Sequence, residues 1–357
     1  VKRMDAPVKL CVLILALACC WRMFGAPVTY NDFQGVKMHF WQARILLPQR
    51  VERMLGLWMT YSAADKTQQV MTEEKGTGEL ITVYLTQEER LVQMSPEGYV
   101  CGVVAAEMPA QYHMEALKAQ VVAARTRLLW QIQQGGCALH PGADICTDSS
   151  HCQGYATLEE CRSKWNESYS AYRDRILQAQ RETEGRWIAY DNQPITVLYH
   201  AISGGRTENV ETVFAQALPY LVSVESADEE NVRGYQEQTT LSFEEITQRI
   251  NASLGLELTA EDVRRTFSIG GYTESGRVKN VQIGQTQVDA THFRQMLGLR
   301  STWFSISMDD NGITFHQRGF GHGVGMSQAG ANSMAASGAD YQQILQHYYT
   351  GVSIMNE

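Results

Sequence analysis

Glu107 stands two residues before Pro109 at the end of a predicted helix, a position from which a carboxyl group can donate a proton. Ser95 is a good N-cap and Pro96 suits the first helical position, so a helix opens there. Val100, Val103 and Val104 give it an apolar stripe, and Pro109 stops it. Glu107 then falls in the last turn, against the negative end of the helix dipole. Val103, Val104, Ala106 and Met108 add desolvation. Both effects raise a carboxyl pKa, as general acid chemistry near neutral pH requires. The same position also suits an ordinary surface glutamate beside a proline, and residue types alone do not separate the two.

Three further groups carry chemically useful side chains. Lys118 and Arg125 are seven residues apart on the next predicted helix, Met114 to Gln133, and so share one face. Two long cations on one stripe hold a carboxylate or sugar hydroxyls, or else form a solvated basic face. The run HPGADICTDSSHC, residues 140–152, offers His140, Cys146, His151 and Cys152. Two imidazoles and two thiols suit tetrahedral zinc, although the spacing is not that of a standard finger. A disulfide, Cys146–Cys152 or Cys137–Cys161, and plain free thiols are the alternatives in the 137–161 loop. The third group is the loop GFGHGVGMSQAG. Its glycines at 319, 321, 323 and 325 let the backbone approach a ligand or another segment closely. No βαβ unit surrounds it, which argues against a dinucleotide fingerprint. His322, Ser327 and Gln328 either face a cleft or satisfy the turn's own backbone groups.

These residues need a scaffold, and the pattern supplies one of mixed α+β class. Leu80 to Leu85 is β-branched and apolar, a strand. In the helix Met114 to Gln133, Leu117, Val121, Ala124 and Leu128 form the buried face, and Gly135 with Gly136 ends it. Leu158 to Gln180 reads as one helix with exposed charges. Trp187 to Tyr190 and Pro194 to Ala201 read as strands around a turn at Asp191-Asn192. Ser242 with Glu245 is a capping box before another helix. Alternating patches such as VKNVQI fill 268–318, and two short helices close the chain. At 44% hydrophobic and 19% charged, the 357 residues are globular. A net charge of −9 with no basic run makes nucleic-acid binding a poor fit.

The N-terminus is a separate unit. Lys2, Arg3 and Lys9 precede an apolar run of twelve residues, Leu10 to Trp21. That length is short for a span, which needs ~20 residues, and suits a signal-peptide core. Leu10 to Val28 still spans if Arg22 snorkels to the interface, and no clean cleavage site follows. The expectation is an uncleaved single-pass anchor over residues 1–28, with the N-terminus inside and the remainder outside the cytoplasm. Residues 29–78 are expected to be a juxtamembrane linker, and 79–357 the catalytic domain.

The run GYVCGVVAAEMPAQYHMEALKAQVVAARTRLLW (98–130) closely resembles the stage II sporulation protein D family. YHAISGGRTENVETVF (199–214), LPYLVSVES (218–226), LRSTWFSI (299–306), FHQRGFGHGVGMSQAGANSMA (315–335) and HYYTG (347–351) resemble it as well. The resemblance covers about residues 80–353 and does not reach 26–78. It implies a membrane-anchored lytic transglycosylase that cuts peptidoglycan glycan strands during sporulation engulfment, from the mother-cell membrane facing the forespore. It implies Glu107 as catalytic acid, with Lys118, Arg125, Tyr199 and Ser203 lining a glycan cleft. Lys118 and Arg125 would bind the lactyl carboxylate of N-acetylmuramate; Tyr199 and Ser203 would bind its N-acetyl group. Some members of the family carry zinc in a loop of this kind, held by two His and two Cys, which favours a structural zinc here. The implied partners are a companion amidase/endopeptidase and a multi-spanning membrane protein of the engulfment machinery, with glycan stripped of stem peptides as substrate. The related amidase enhancers give the competing reading, a non-catalytic glycan-binding activator of a cell-wall amidase.

Overall fold

The computed structural model describes residues 80–356, apart from 215 and 227. The proposed anchor (1–28) and the whole of the linker (29–78) lie outside the described residues. Among those described, no helix is long and apolar enough to cross a membrane.

The class is mixed α+β, as the sequence predicts. Strands β1 (Ile81–Leu85) and β2 (Arg90–Met94) form an antiparallel hairpin, and β3 (Ile145–Cys146) adds in parallel beside β1. Helix α1 (Pro96–Glu107) starts where Ser95 accepts a bond from the Gly98 amide and has proline in its first turn. Met108 leaves it in an extended conformation, so Glu107 is the last helical residue.

Helix α2 (Met114–Gln133) is the centre of the fold. It packs against α1, against α3 (Tyr169–Glu182) and against β4 (Arg186–Tyr190). The two C-terminal helices, Gln328–Ala336 and Tyr341–Tyr348, cover it as well. Here the structure departs from the sequence reading. A single buried stripe is expected, but every residue from Ala119 to Thr126 is buried. Ala119, Ala123 and Ala124 keep the surface flat enough for neighbours to approach on all sides. A polar residue on this helix must therefore find partners inside the protein.

Two other expectations change. The predicted helix Leu158 to Gln180 is broken: Leu158–Trp165 ends at Asn166, whose φ of 46° is left-handed, and a short 3-10 turn leads into Tyr169–Glu182. Trp165 turns into the core at that break, tilted against Tyr169 and edge-on to Tyr172. Of the strand Pro194 to Ala201, only β5 (Gln193–Pro194) and β6 (Tyr199–His200) pair with neighbours. The turn between β4 and β5 holds: Asp191 and Asn192 both have positive φ.

A second hydrophobic core was not legible in the sequence. It is built from residues between Leu241 and Phe315, including Ile246, Val281, Phe293 and Phe315. Strand β7 (Gln236–Ser242) lies beside β12 (Gly312–Arg318), so this lobe leaves and rejoins the main body through adjacent antiparallel strands. The remaining strands of the lobe are β8 (Ser268–Tyr272), β9 (Val278–Ile283), β10 (Thr286–Asp289) and β11 (Phe304–Met308). The Ser242 capping box opens its first helix, Phe243–Leu254, as predicted. Strand β13 (Met326–Ser327) returns to the main body and pairs in parallel with β6, Met326 opposite Tyr199 and Ser327 opposite His200.

Arg125 shows what all-round burial demands of a helix. It is 4% exposed and bidentate to Glu97, at 2.6 and 2.7 Å. Its remaining nitrogen donates to the carbonyls of Thr183 and Arg186. Arg125→Met is expected to lower unfolding stability by about 3 kcal/mol, since it strands a carboxylate and two carbonyls. Urea denaturation checks this; a change under about 1 kcal/mol would mean the cation is dispensable.

Candidate functional site

Glu107 is half-buried at the C-terminal end of α1. Its Oε1 accepts a hydrogen bond from the Gly154 amide at 3.0 Å. The Gln328 side chain also bonds to the carboxyl. Burial pushes its pKa above the usual 4.5; the two hydrogen bonds and the charge of Lys164 pull the other way without cancelling it. Hydrogen bonds to the charged form favour it, and desolvation disfavours it. Gly154 is needed for this contact, because a Cβ there would stand 2.7 Å from Glu107 Oε1.

Tyr199 faces the same place from β6. Its hydroxyl donates to Gln153 Oε1 at 3.0 Å. Burial raises its pKa well above the usual phenol value, and the Glu107 charge adds to that. Gln153 is itself buried, its Nε2 directed at the Ala124 carbonyl of α2. Gln328 Nε2 also reaches Gln120 Oε1 at 3.4 Å, so Gln120 of α2 backs the same side chain. Glu107, Tyr199 and Gln328 thus come together from three separate parts of the chain.

The glycine loop makes this approach possible. Gly319, Gly321, Gly323 and Gly325 all have positive φ. At Gly325, a Cβ would lie 2.1 Å from the Leu198 carbonyl oxygen. At Gly323, it would meet the Arg277 guanidinium at 2.6 Å. The loop's three polar residues divide between the two expected roles. Gln328 reaches Glu107. His322 serves the turn, its Nδ1 accepting from the Val324 amide at 3.0 Å. Burial lowers its pKa to about 4, so it is neutral at physiological pH. Ser327 is fully buried, caps Gln328–Ala336 and donates to Glu229.

Three other expected glycan contacts are committed within the fold. Arg125 is 4% exposed and spends four of its five N–H donors on Glu97 and two carbonyls. Lys118 lies between Glu115 (2.7 Å) and Glu182 (2.6 Å). Ser203 is 0% exposed, and its hydroxyl donates to Glu229. Burial commits Arg125 and Ser203 to partners the fold supplies, whereas Lys118 is held by two partly exposed carboxylates.

The cysteine loop forms a second polar centre. The donor atoms of Cys137, Cys146, His151 and Cys152 lie within 4.8 Å of one another. His151 Nδ1 is 3.6 Å from the sulfurs of Cys137 and Cys146 and 3.2 Å from that of Cys152. The Cys137 and Cys152 sulfurs are 4.0 Å apart. Donors around a tetrahedral zinc stand roughly 3.6–3.8 Å apart, so this set fits such an ion. Three members of the sequence quartet converge, but Cys137 takes the fourth place. The His140 ring instead stacks on Tyr84, centroids 3.7 Å apart. Cys161 belongs to the main core, away from Cys137, and all five described cysteines are free thiols.

Residue types gave no signal for Gln120, Gln153 or Glu229. Gly154 had one: it follows His151-Cys152 by two residues, so the loop that gathers the thiols also delivers an amide to Glu107.

A family model described as SpoIID, stage II sporulation protein, matches residues 84–190. Stage II sporulation protein D of Bacillus amyloliquefaciens is 32% identical over 87% of this chain and 90% of its own length. Its counterpart from Bacillus subtilis (strain 168) is 35% identical over 77% of this chain and 78% of its own. The amidase enhancer of the same strain is 27% identical over 71% of this chain but only 40% of its own.

The environment of Glu107 is directly measurable. In protein with 13C-labelled glutamate, the Glu107 carboxyl is expected to titrate above the usual 4.5. Gln328→Leu removes a donor to the charged form, so the midpoint is expected to rise further. A midpoint at or below 4.5 in the wild type would contradict the desolvation argument.

Proposed function

The chain belongs to the stage II sporulation protein D family, and from that premise we propose that it is a lytic transglycosylase acting on peptidoglycan glycan strands. The observation that carries this reading is Glu107: a half-buried carboxyl with a raised pKa, held by a backbone amide and a glutamine and facing Tyr199.

A lytic transglycosylase requires one carboxyl group used twice. Protonated Glu107 donates its proton to the glycosidic oxygen as the bond to the anomeric carbon breaks. The resulting carboxylate takes the proton from the 6-hydroxyl of the same N-acetylmuramate as that oxygen bonds to the anomeric carbon. The product is a 1,6-anhydro sugar and the carboxyl ends protonated. No water is activated, so the second carboxylate of a hydrolase is not needed. Gln328 and the Gly154 amide would hold the carboxylate after the first transfer, and the Tyr199 hydroxyl, which donates to Gln153, would contact the sugar as an acceptor. A raised pKa keeps Glu107 protonated to higher pH than an ordinary glutamate, as the donor step requires.

We further propose that Cys137, Cys146, His151 and Cys152 hold a zinc ion. Four protein donors leave no open position, so the ion would supply structure: it would pin the loop that carries Gln153 and Gly154. The proposed setting is the one the family implies, with residues 1–28 as membrane anchor, the described residues outside the cytoplasm, and an amidase/endopeptidase and a multi-spanning membrane protein as partners.

The amidase enhancer relative supports a second reading, a glycan-binding activator of an amidase. Product analysis separates the two. Purified glycan strands treated with the protein are expected to yield 1,6-anhydro-muramic ends by mass spectrometry, and Glu107→Gln to lower the rate at least ~100-fold. The rate is expected to fall with rising pH through the Glu107 midpoint, since the protonated form is the donor. Unaltered strands would favour the activator; full activity in Glu107→Gln would remove Glu107 as the acid. For the metal, elemental analysis is expected to find one zinc per chain, retained in His140→Ala and lost with a lowered Tm in Cys137→Ser. The reverse pattern would restore His140 as the ligand.

A further inference from the structure

Glu229 is 0% exposed and forms no ion pair among the described residues. Its two oxygens accept four hydrogen bonds. Oε2 receives the Ser203 hydroxyl at 2.8 Å and the Gly204 amide at 2.9 Å. Oε1 receives the Ser226 hydroxyl at 2.7 Å and the Ser327 hydroxyl at 2.5 Å. A buried carboxylate with this many donors is well satisfied, and each donor is held in turn. Ser226 shares a bond with Tyr348. Ser327 Oγ also accepts from the amides of Ser203 and Gly330. Gly330 has to be glycine, since a Cβ there would lie 2.8 Å from Glu229 Oε1.

The donors matter because of what lies next to them. Ser327 directly precedes Gln328, the side chain on Glu107. Ser203 and Gly204 continue the strand that carries Tyr199. Strands β6 and β13 pair over only two residues, too short a ladder to fix their own register. We propose that Glu229 is a positioning residue: by clamping Ser203 and Ser327 to one carboxylate it holds β6 against β13, and so keeps Gln328 on Glu107 and Tyr199 beside it. This rests on the reading of Glu107 as the catalytic acid. Glu229 touches neither substrate nor Glu107 and acts only through those two serines.

Glu229→Gln keeps the shape and removes the clamp. One oxygen becomes an amide nitrogen that cannot accept from the fixed Gly204 amide or from a serine already engaged. In the full-length chain this variant is expected to fold, with one cooperative urea transition. Its kcat on glycan strands is expected to fall about 10- to 100-fold, the scale of a misplaced catalytic group, with a much smaller change in KM. The 13C midpoint of Glu107 is expected to rise, because the Gln328 bond that lowers it is loosened. The other ionisable groups facing Glu107 are Lys164 and Tyr199, and the substitution alters neither. Ser327→Ala should act in the same direction, and the double variant should be no worse than Glu229→Gln alone, as for two members of one path. An unmoved Glu107 midpoint, with activity reduced only in proportion to the folded fraction, would overturn the proposal and leave Glu229 a plain stabiliser. So would additive effects in the double variant. The midpoint is read without turnover. If instead Glu107→Gln kept full activity while the midpoint still moved, the acid assignment would fail and the positioning of Glu107 would stand.

Discussion

The burial of the middle of helix Met114–Gln133 on all sides, from Ala119 to Thr126, is the constraint from which the rest follows. A helix with one wet face can leave its polar residues in water. This one cannot, so each polar residue is answered from a different part of the chain. Arg125 takes Glu97 of the preceding helix and carbonyls that follow Tyr169–Glu182. Gln131 takes the Gly136 carbonyl and turns the chain into the cysteine loop. Gln120 takes Gln328, and the Ala124 carbonyl lies against Gln153. The last two contacts reach side chains around Glu107. The surroundings of Glu107 are in this sense a by-product of satisfying a buried helix.

The second core has a comparable role at a distance. Its β8–β9 turn carries Arg277, which is 2% exposed and donates to the carbonyls of Ser203 and Arg206. Burial lowers the Arg277 pKa to about 10, and the carboxylates of Glu208 and Glu229 oppose that fall. Glu208 is held by Thr273 and Ser275 of the same turn. Two acids and one arginine, all buried, therefore join the lobe to the segment after Tyr199. Such networks are weak evidence for net stability but strong determinants of geometry, since removing one member strands the others. Gly323, pressed against the Arg277 guanidinium, shows how little space the arrangement leaves.

The Glu107 carboxyl gains its character from opposing effects of unequal size. Desolvation outweighs two hydrogen bonds and a lysine charge, so the pKa rises but the ionised form still has partners. That combination suits a group that must give a proton and take one back. A carboxyl with no donors would lose the second half of the cycle, and one fully paired with a cation would lose the first.

Sequence alone determined the local features. The Ser95 cap, the stop before Pro109, the reach of Met114–Gln133, the Asp191-Asn192 turn and the Ser242 capping box depend on residues a few positions apart, and short-range sterics and hydrogen bonds decide them. Family motifs in the same stretches pointed to Glu107. What sequence could not show was which side chains the fold would use up. Lys118, Arg125 and Ser203 look available because partners that commit them are distant in the chain: Glu182 lies 64 positions from Lys118, and only Glu115, three residues before it, is local. Cys137 in place of His140, Gly154 on Glu107 and Glu229 beneath two serines are likewise long-range pairings. Only the packed structure decides them, because burial sets which polar groups must find each other, and burial on every side is not written in the periodicity of any one segment.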